Sequence, residues 1–384
     1  MFSKSLNKGK YGLGVDIDAI SRIRNEFIDR SYRTESSRLG FYESQANAVY
    51  EVEDWFGEMQ GVTYQEHITN LYNAVNELTK NPTSTIARSS LIQNATAFID
   101  RSEAIYSGLK DYQVTLNTEV NNMVEKINSL GQKIYNLNKG IVKVEAEGVE
   151  RANDLRDSRD LALDELSKYI DIDYYETKDG EVIVSAENVP FITKNDIAKM
   201  SVREEGTYGL LIPQWEGYQQ DVYNFDKQAN NANDTDKGKL KGLLIARGVI
   251  EVNYTDIPVM PERADYDLTT EQGMAEYNSA MDAYQQKQDY YNKYIEPSAI
   301  LSAIAGFDKL VNGIVTAMND VLCPETTMDT TKELTDADGN ILKAEKYVYN
   351  ASTHDVLYDS HGNVVAGKEN GDGTYSYEAS EKLY

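Results

Sequence analysis

The residues that could carry chemistry are three histidines, a row of aspartates, one cysteine and two short glycine-containing motifs. His67, His354 and His361 stand singly, with no HExxH or comparable ligand spacing, so they read as surface histidines rather than metal ligands. Asp336-Ala-Asp338-Gly-Asn340 begins like a calcium loop, but that loop needs Gly at its sixth position and Glu at its twelfth. Ile341 occupies the sixth, and a plain turn is the better reading. Gly238-Lys239 has no Gly five residues upstream and no Ser or Thr after it, so it fails as a phosphate loop. Asp154, Asp157, Asp160 and Asp164 recur at helical spacing and could pair as carboxylates. Arg151, Arg156 and Arg159 interleave them, which predicts ion pairs within the helix instead. Cys323 is the sole cysteine, with no His or Asn partner in a nearby motif, so it offers neither a disulfide framework nor a thiol metal site. These patterns predict no enzyme, no cofactor and no metal, and point to a structural chain.

The elements that position these residues are mostly helical. From Val120 onward the apolar residues Val120, Met123, Ile127, Leu130, Ile134, Leu137, Ile141 and Val144 fall at alternating steps of three and four, a heptad seam. Upstream it continues through Ile105, Leu109, Tyr112 and Leu116, with one extra four-residue step that acts as a stutter. No proline lies between Pro82 and Pro190, so one helix over about 85–145 is expected, roughly 85–90 Å long. Such a helix must lay its seam against partner helices.

Those partners flank it. Residues 1–13 read as an extended leader. A helix is predicted from Val15 to about Phe56, with Gly57 and Gly61 ending it, and another over Tyr64–Lys80. Asn81-Pro82-Thr83-Ser84 gives a stop followed by an N-cap for the long helix. After Gly148 a helix over Asn153–Ile170 folds back antiparallel. Tyr174 to Val184, with Asp179-Gly180 inside it, signals a β-hairpin. Short strands are expected at Phe191-Ile192, Tyr208–Ile212 and Val249–Val252. Helices follow over Thr270–Tyr294 and Ile300–Leu322. Beyond Cys323, Asp338-Gly339-Asn340, His361-Gly362-Asn363 and Asp372-Gly373 punctuate runs such as Tyr347-Val348-Tyr349 and Tyr375-Ser376-Tyr377, again hairpin chemistry.

Bulk properties exclude several classes. The formal net charge of −25 opposes nucleic-acid binding, which needs basic surface, and disfavours anionic membranes. No apolar run is expected to approach the roughly 18 residues of a bilayer span. The first residues carry no Sec-type signal pattern. The 28 tyrosines are an excess that suits wet subunit interfaces, or a lineage bias without function.

Several stretches together resemble the family of bacterial flagellar hook-associated protein 1, the first junction protein between hook and filament. Gly14-Val15-Asp16-Ile17, Ile20-Ser21-Arg22-Ile23-Arg24, Phe27-Ile28-Asp29 and Tyr32-Arg33-Thr34-Glu35 are similar to that family's first domain-1 helix. Leu78 to Ser84 with Ala87-Arg88-Ser89 resembles its helix junction, and Ile127-Asn128-Ser129-Leu130 with Ile134 to Asn138 its long helix. Ala152 to Asp160 leading into Asp164-Glu165-Leu166-Ser167 is the most specific piece; Gly238 to Leu244 and Ala317 to Asp320 fit as well. The resemblance covers roughly residues 11–325. Two departures stand out: the family's terminal axial-core segments are not found here, which reads as a fragment unable to polymerise alone, and the tyrosine-rich stretch 254–297 is expanded.

The resemblance implies an α+β, mainly α fold: a long antiparallel helical rod, a coiled-coil-like bundle, with small β-hairpin-rich parts. The expected division is a leader over 1–13, a long-helix rod domain over 14–170, a β-rich subregion over 171–253, a helical return segment over 254–322 and a second β-hairpin-rich domain from 323 to 384. It further implies a secreted, extracellular flagellar component exported by the flagellar type III route and self-associating in a ring of subunits. The implied partners are the hook protein, the next hook-associated junction protein and an export chaperone, with no nucleic acid and no membrane. Arg22, Arg24 and Arg33 are the expected subunit-contact residues, because exposed arginines opposite acidic neighbours can fix register. Two other classes stay open: a secreted coiled-coil adhesin or effector, and a hydrolase built on the hairpin domain.

Overall fold

The computed structural model describes residues 25–56, 63–146, 151–207, 209–225 and 229–322, with short backbone strands in 3–12 and between 334 and 376. The chain divides into two compact units, Met1–Gly306 and Phe307–Tyr384.

The first unit opens on an antiparallel pair, β1 (Ser3–Leu6) and β2 (Gly9–Gly12). Helix α1 (Glu26–Phe56) is capped by Asn25, whose Oδ1 accepts the Phe27 N–H at 3.1 Å. Its predicted stretch from Val15 to Arg24 lies outside the described residues, as do Gly57 and Gly61. Helix α2 (Tyr64–Lys80) is capped by Thr63, and α3 (Thr85–Glu145) by Ser84, whose Oγ accepts the Ala87 N–H at 3.3 Å. The hydroxyl satisfies one of the orphan donors of the first turn. With 61 residues, α3 extends about 90 Å. Its first turns are covered by α2, where the Tyr64 and Phe98 rings stack at 5.7 Å.

The buried stripe of α3 runs Val120, Val124, Ile127, Gly131, Ile134, Asn138, Ile141. Met123 and Leu130 of the predicted seam are buried beside it, but Leu137 is only half-buried and Val144 is exposed. A straight 3.6-residue helix drifts about 20° per heptad against a 3.5 repeat, and over these turns one column of the seam rotates out. Helix α4 (Asn153–Tyr169) runs back antiparallel: Arg156 near its start meets Glu145 at the end of α3, and Glu165 near its end meets Lys126.

Two antiparallel sheets follow. The first joins β3 (Ile172–Glu176), β4 (Val182–Ala186) and β5 (Val189–Ile192). Asp179-Gly180 sits inside a five-residue loop, with Gly180 at φ +83°. The tighter turn is Glu187-Asn188, with φ of +46° and +64°. Two left-handed residues match the twist of the strands, a geometry for which Asn-Gly is the usual signal. The second sheet joins β6 (Met200–Glu205), β7 (Leu210–Trp215) and β8 (Gln220–Asp221). Phe191 and Trp215 bring the two sheets together over α3, ring centroids 5.9 Å apart.

Residues 239–247 form helix α5 (Lys239–Arg247), and the predicted strand at Val249–Val252 is irregular chain instead. Helix α5 packs directly on α1, because a Cβ on Gly242 would lie 2.4 Å from the Phe41 carbonyl oxygen. Helix α6 (Glu271–Tyr290) runs into one π-helical turn, Tyr291–Ile295. Helix α7 (Ala299–Leu322) begins in the first unit, where Ile300, Leu301 and Ile304 are buried. Residues Ala299–Asn319 are long and apolar enough to cross a bilayer by length and composition, although Asp308 and Lys309 interrupt the run.

In the second unit, beyond the rest of α7, β9 (Leu334–Thr335) pairs with β10 (Ile341–Leu342), and β11 (Lys368–Glu369) with β12 (Tyr375–Ser376). Both pairs bracket the predicted turns at Asp338-Gly339-Asn340 and Asp372-Gly373. Tyr347-Val348-Tyr349 and His361-Gly362-Asn363 lie outside the described residues. The fold is mainly α with small antiparallel β parts, as the sequence predicts.

Candidate functional site

The working parts of a structural chain are the contacts that keep its elements in register, and here they converge on α3. Three asparagines on it, Asn117, Asn128 and Asn138, stand 11 and 10 residues apart, close to three helical turns, and therefore share a face. Each clamps strand backbone through both ends of its amide. Asn138 Nδ2 donates to the Val182 carbonyl at 2.8 Å and its Oδ1 accepts the Val182 N–H at 3.0 Å. Asn128 does the same with Met200, at 2.8 and 2.9 Å. Asn117 donates to the Gly209 carbonyl and accepts from the Leu211 N–H, both at 3.0 Å. A primary amide carries a donor and an acceptor side by side, so it reproduces the pairing of a neighbouring strand. One turn before Asn117, Gln113 donates to the Arg247 carbonyl at 3.2 Å, fixing the end of α5. The heptad pattern of α3 carries its apolar seam but not these amides. Their three-turn spacing is the signal that could have found them.

Two buried arginines extend the clamps. Arg159 donates to Asn138 Oδ1 at 3.1 Å, to the Gly180 carbonyl at 2.6 Å and to Glu176 at 2.8 Å. Arg247 donates to Asn117 Oδ1 at 2.6 Å and to the Gly248 carbonyl at 3.1 Å. Both of these acceptors are neutral, and burial pulls the Arg247 guanidinium down to about 10.

The aspartate row of α4 reaches to other elements rather than only along its own helix. Arg33 of α1 donates to Asp164 at 2.7 Å and to Asp160 at 3.4 Å, with its guanidinium 4.5 Å from the Tyr174 ring centroid. Arg156 bridges Glu145 of α3 and Glu176 of β3 at 2.8 and 2.6 Å. Its hydrogen bonds hold the Glu145 carboxyl at about 2, well below the usual carboxylate range. Asp160, Asp164, Arg156 and Arg159 thus find partners on α1, α3 and β3, beyond the pairing along α4 that the spacing predicts.

The expectation of an exposed Arg33 is also corrected. It is 3 % exposed and engaged inside the chain. Arg22 and Arg24 lie outside the described residues.

Where α1, α5 and the β4–β5 turn meet, ionisable groups gather in a half-buried cluster. Glu187 lies 4.0 Å from Lys241, and Asp171 lies 3.7 Å from Lys237. Desolvation pushes Glu187 up to about 7 and raises Asp171. Tyr223 is buried beside Lys241, whose Nζ is 5.9 Å from its ring centroid, and burial raises its phenol well above the ordinary value. Nothing in this cluster pairs a nucleophile with a base.

His67 is half-buried on α2, while His354, His361 and Cys323 lie outside the described residues. Among the described residues, no group of three or more His, Cys, Asp or Glu side chains is placed to hold a metal ion.

Comparison with known proteins places this arrangement. The family model of the flagellar hook-associated protein FlgK helical domain matches residues 49–283. Flagellar hook-associated protein 1 of Bacillus subtilis (strain 168) is 28% identical over 271 residues, which is 68% of this chain and 53% of that protein. The chain therefore spans about half the length of this curated relative. The flagellar hook junction protein FlgK from Burkholderia pseudomallei is similar over 57% of this chain and 38% of its own, with 19% identity and a TM-score of 0.46. The matched residues run from the last turns of α1 through α2, α3, α4, both sheets and α5 into α6, the region held together by the asparagine clamps. The chain belongs to the family of the flagellar hook-associated protein FlgK helical domain.

Proposed function

We propose that this chain forms the helical body of a subunit at the junction between the flagellar hook and filament, and that filament assembly requires it. The observation that carries this reading is the family match across residues 49–283. The clamps give it a physical sense. A junction subunit transmits torque, and a long helix fixed to its sheets by paired amide bonds resists sliding better than one held by non-directional apolar contact alone. In this reading the protein leaves the cell by the flagellar type III route with an export chaperone and assembles as a ring of subunits. It then contacts the hook protein on one side and the next hook-associated protein on the other. Its role is mechanical, with no catalytic step.

Immunogold labelling of isolated flagella with antibody to residues 63–146 tests the location. Gold confined to the hook–filament boundary supports the proposal. Gold on the cell body, or along the whole filament, contradicts it and favours a secreted adhesin.

A further inference from the structure

The turn that joins β4 to β5 is lightly held. Its corner residues, Glu187 and Asn188, both sit at positive φ, a region that side chains enter at a cost. The ladder behind them is irregular: the register shifts between Val184 and Ser185, and Pro190, opposite Ser185, has no N–H to donate. At the tip the Glu187 N–H donates to the Asp171 carbonyl at 3.1 Å, tying the turn to the chain after α4.

The Glu187 side chain closes this turn on α5. It keeps only 13 % of its surface in water, and its Oε1 is shielded from solvent and takes no hydrogen bond from the described residues. Its ion pair with Lys241 of α5 spans 4.0 Å, too long for a hydrogen bond. Lys237, just before α5, attracts a charge on Glu187 but lies 3.7 Å from Asp171, which repels it. Asp171 is faced in turn by Asp234 and Asp173. Tyr223, after β8, is buried with its hydroxyl unbonded. On α1, Arg38 and Tyr42 engage Asp236 instead. A carboxylate so placed has lost its water without gaining close partners, and a proton removes that cost. We propose that the Glu187-Asn188 turn is a pH-sensitive latch, closed on α5 while Glu187 carries its proton and swung out to water when the carboxylate ionises. Burial sets the window, raising Glu187 from 4.5 to about 7. The closed form is fully favoured below 4.5, and that preference is lost as pH rises through about 7.

Native-state hydrogen exchange on the full chain, followed by NMR and corrected for intrinsic rates, tests the latch. The probe is the Glu187 amide, whose bond to Asp171 must break on opening. Its protection should fall roughly 50- to 100-fold between pH 5 and 8, levelling off above about 7, the range set by a shift from 4.5 to about 7. The Met200 amide, bonded to Asn128 at 2.9 Å, should stay more protected at every pH, which marks the opening as local. Glu187→Gln has no proton to lose and should hold the protection flat. Lys241→Met withdraws the attraction to the carboxylate, so the fall should deepen and end at higher pH. Titration of the Glu187 carboxyl carbon needs no variant and should give a midpoint near 7. A midpoint near 4.5, a Glu187 amide indifferent to pH, the same fall in Glu187→Gln, or an unchanged profile in Lys241→Met would overturn the proposal. So would equal protection of the Glu187 and Met200 amides, the mark of global unfolding alone.

Discussion

Asn138 and Val182 close a two-bond ring between helix α3 and strand β4, at 2.8 and 3.0 Å, with both residues buried. Replacing Asn138 by Leu leaves the Val182 N–H and carbonyl without these bonds and takes one acceptor from Arg159. Stranding buried polar groups costs about 1–3 kcal/mol, so the loss should be near the upper end of that range. Asn138→Asp keeps the acceptor but loses the donor to the Val182 carbonyl, and should also destabilise. Urea unfolding followed by circular dichroism measures both.

Gly242 lets α5 touch the backbone of α1. Ala has the higher helix propensity by roughly 1 kcal/mol, so an open site would gain from Gly242→Ala. Here the new Cβ would stand 2.4 Å from the Phe41 carbonyl oxygen, and backbone cannot rotate away. The variant should lose at least about 2 kcal/mol net, in the range of overpacked cores. Gly131→Ala, whose Cβ would lie 2.5 Å from Phe191 Cζ, should cost less because a side chain can yield. Thermal melts of the two variants would give the order.

Glu187 makes stability depend on pH in a direction opposite to the usual carboxylate. Burial raises it from 4.5 to about 7, so the folded chain holds this proton more tightly than the unfolded one. Its contribution is fully present below about 4.5 and is lost as pH rises through about 7. Glu187→Gln should therefore flatten the fall in stability between pH 4.5 and 7 and make the protein more stable at pH 8, by about 1–2 kcal/mol after loss of the Lys241 attraction. Glu145 acts conversely. Lowered to about 2 by Arg156, it contributes above pH 4.5 and loses that contribution as pH falls towards 2. Unfolding curves from pH 3 to 8 separate the two windows.

Arg33 tests whether an arginine that looks like a surface contact in the sequence is an internal clamp. Arg33→Lys keeps the charge but loses the planar fork that spans Asp160 and Asp164 and lies by Tyr174. The isolated chain should be destabilised by about 1–2 kcal/mol. Unchanged monomer stability would contradict the clamp.

How much of this was legible can be read at particular residues. The bounds of α2 and α3 follow from Thr63, Pro82 and Ser84, because caps and proline act through the local backbone. The heptad predicts burial of Leu137 and Val144 as well, but drift over a 61-residue helix depends on how straight tertiary contacts hold it. The Glu187-Asn188 turn carries no glycine and was invisible beside Asp179-Gly180. Spacing along α4 points its aspartates at the arginines of the same helix, whereas Asp160 and Asp164 take Arg33, about 130 residues away in sequence. The three-turn spacing of Asn117, Asn128 and Asn138 marks a shared polar face, but which backbone it clamps depends on strands 44 to 94 residues further along the chain.

The most direct measurement is deletion of the gene in the source bacterium, with electron microscopy of the cells and assay of flagellin in the medium. A junction subunit predicts hooks without filaments and flagellin monomers shed into the medium, both reversed by restoring the gene. Normal filaments on motile cells would contradict that role.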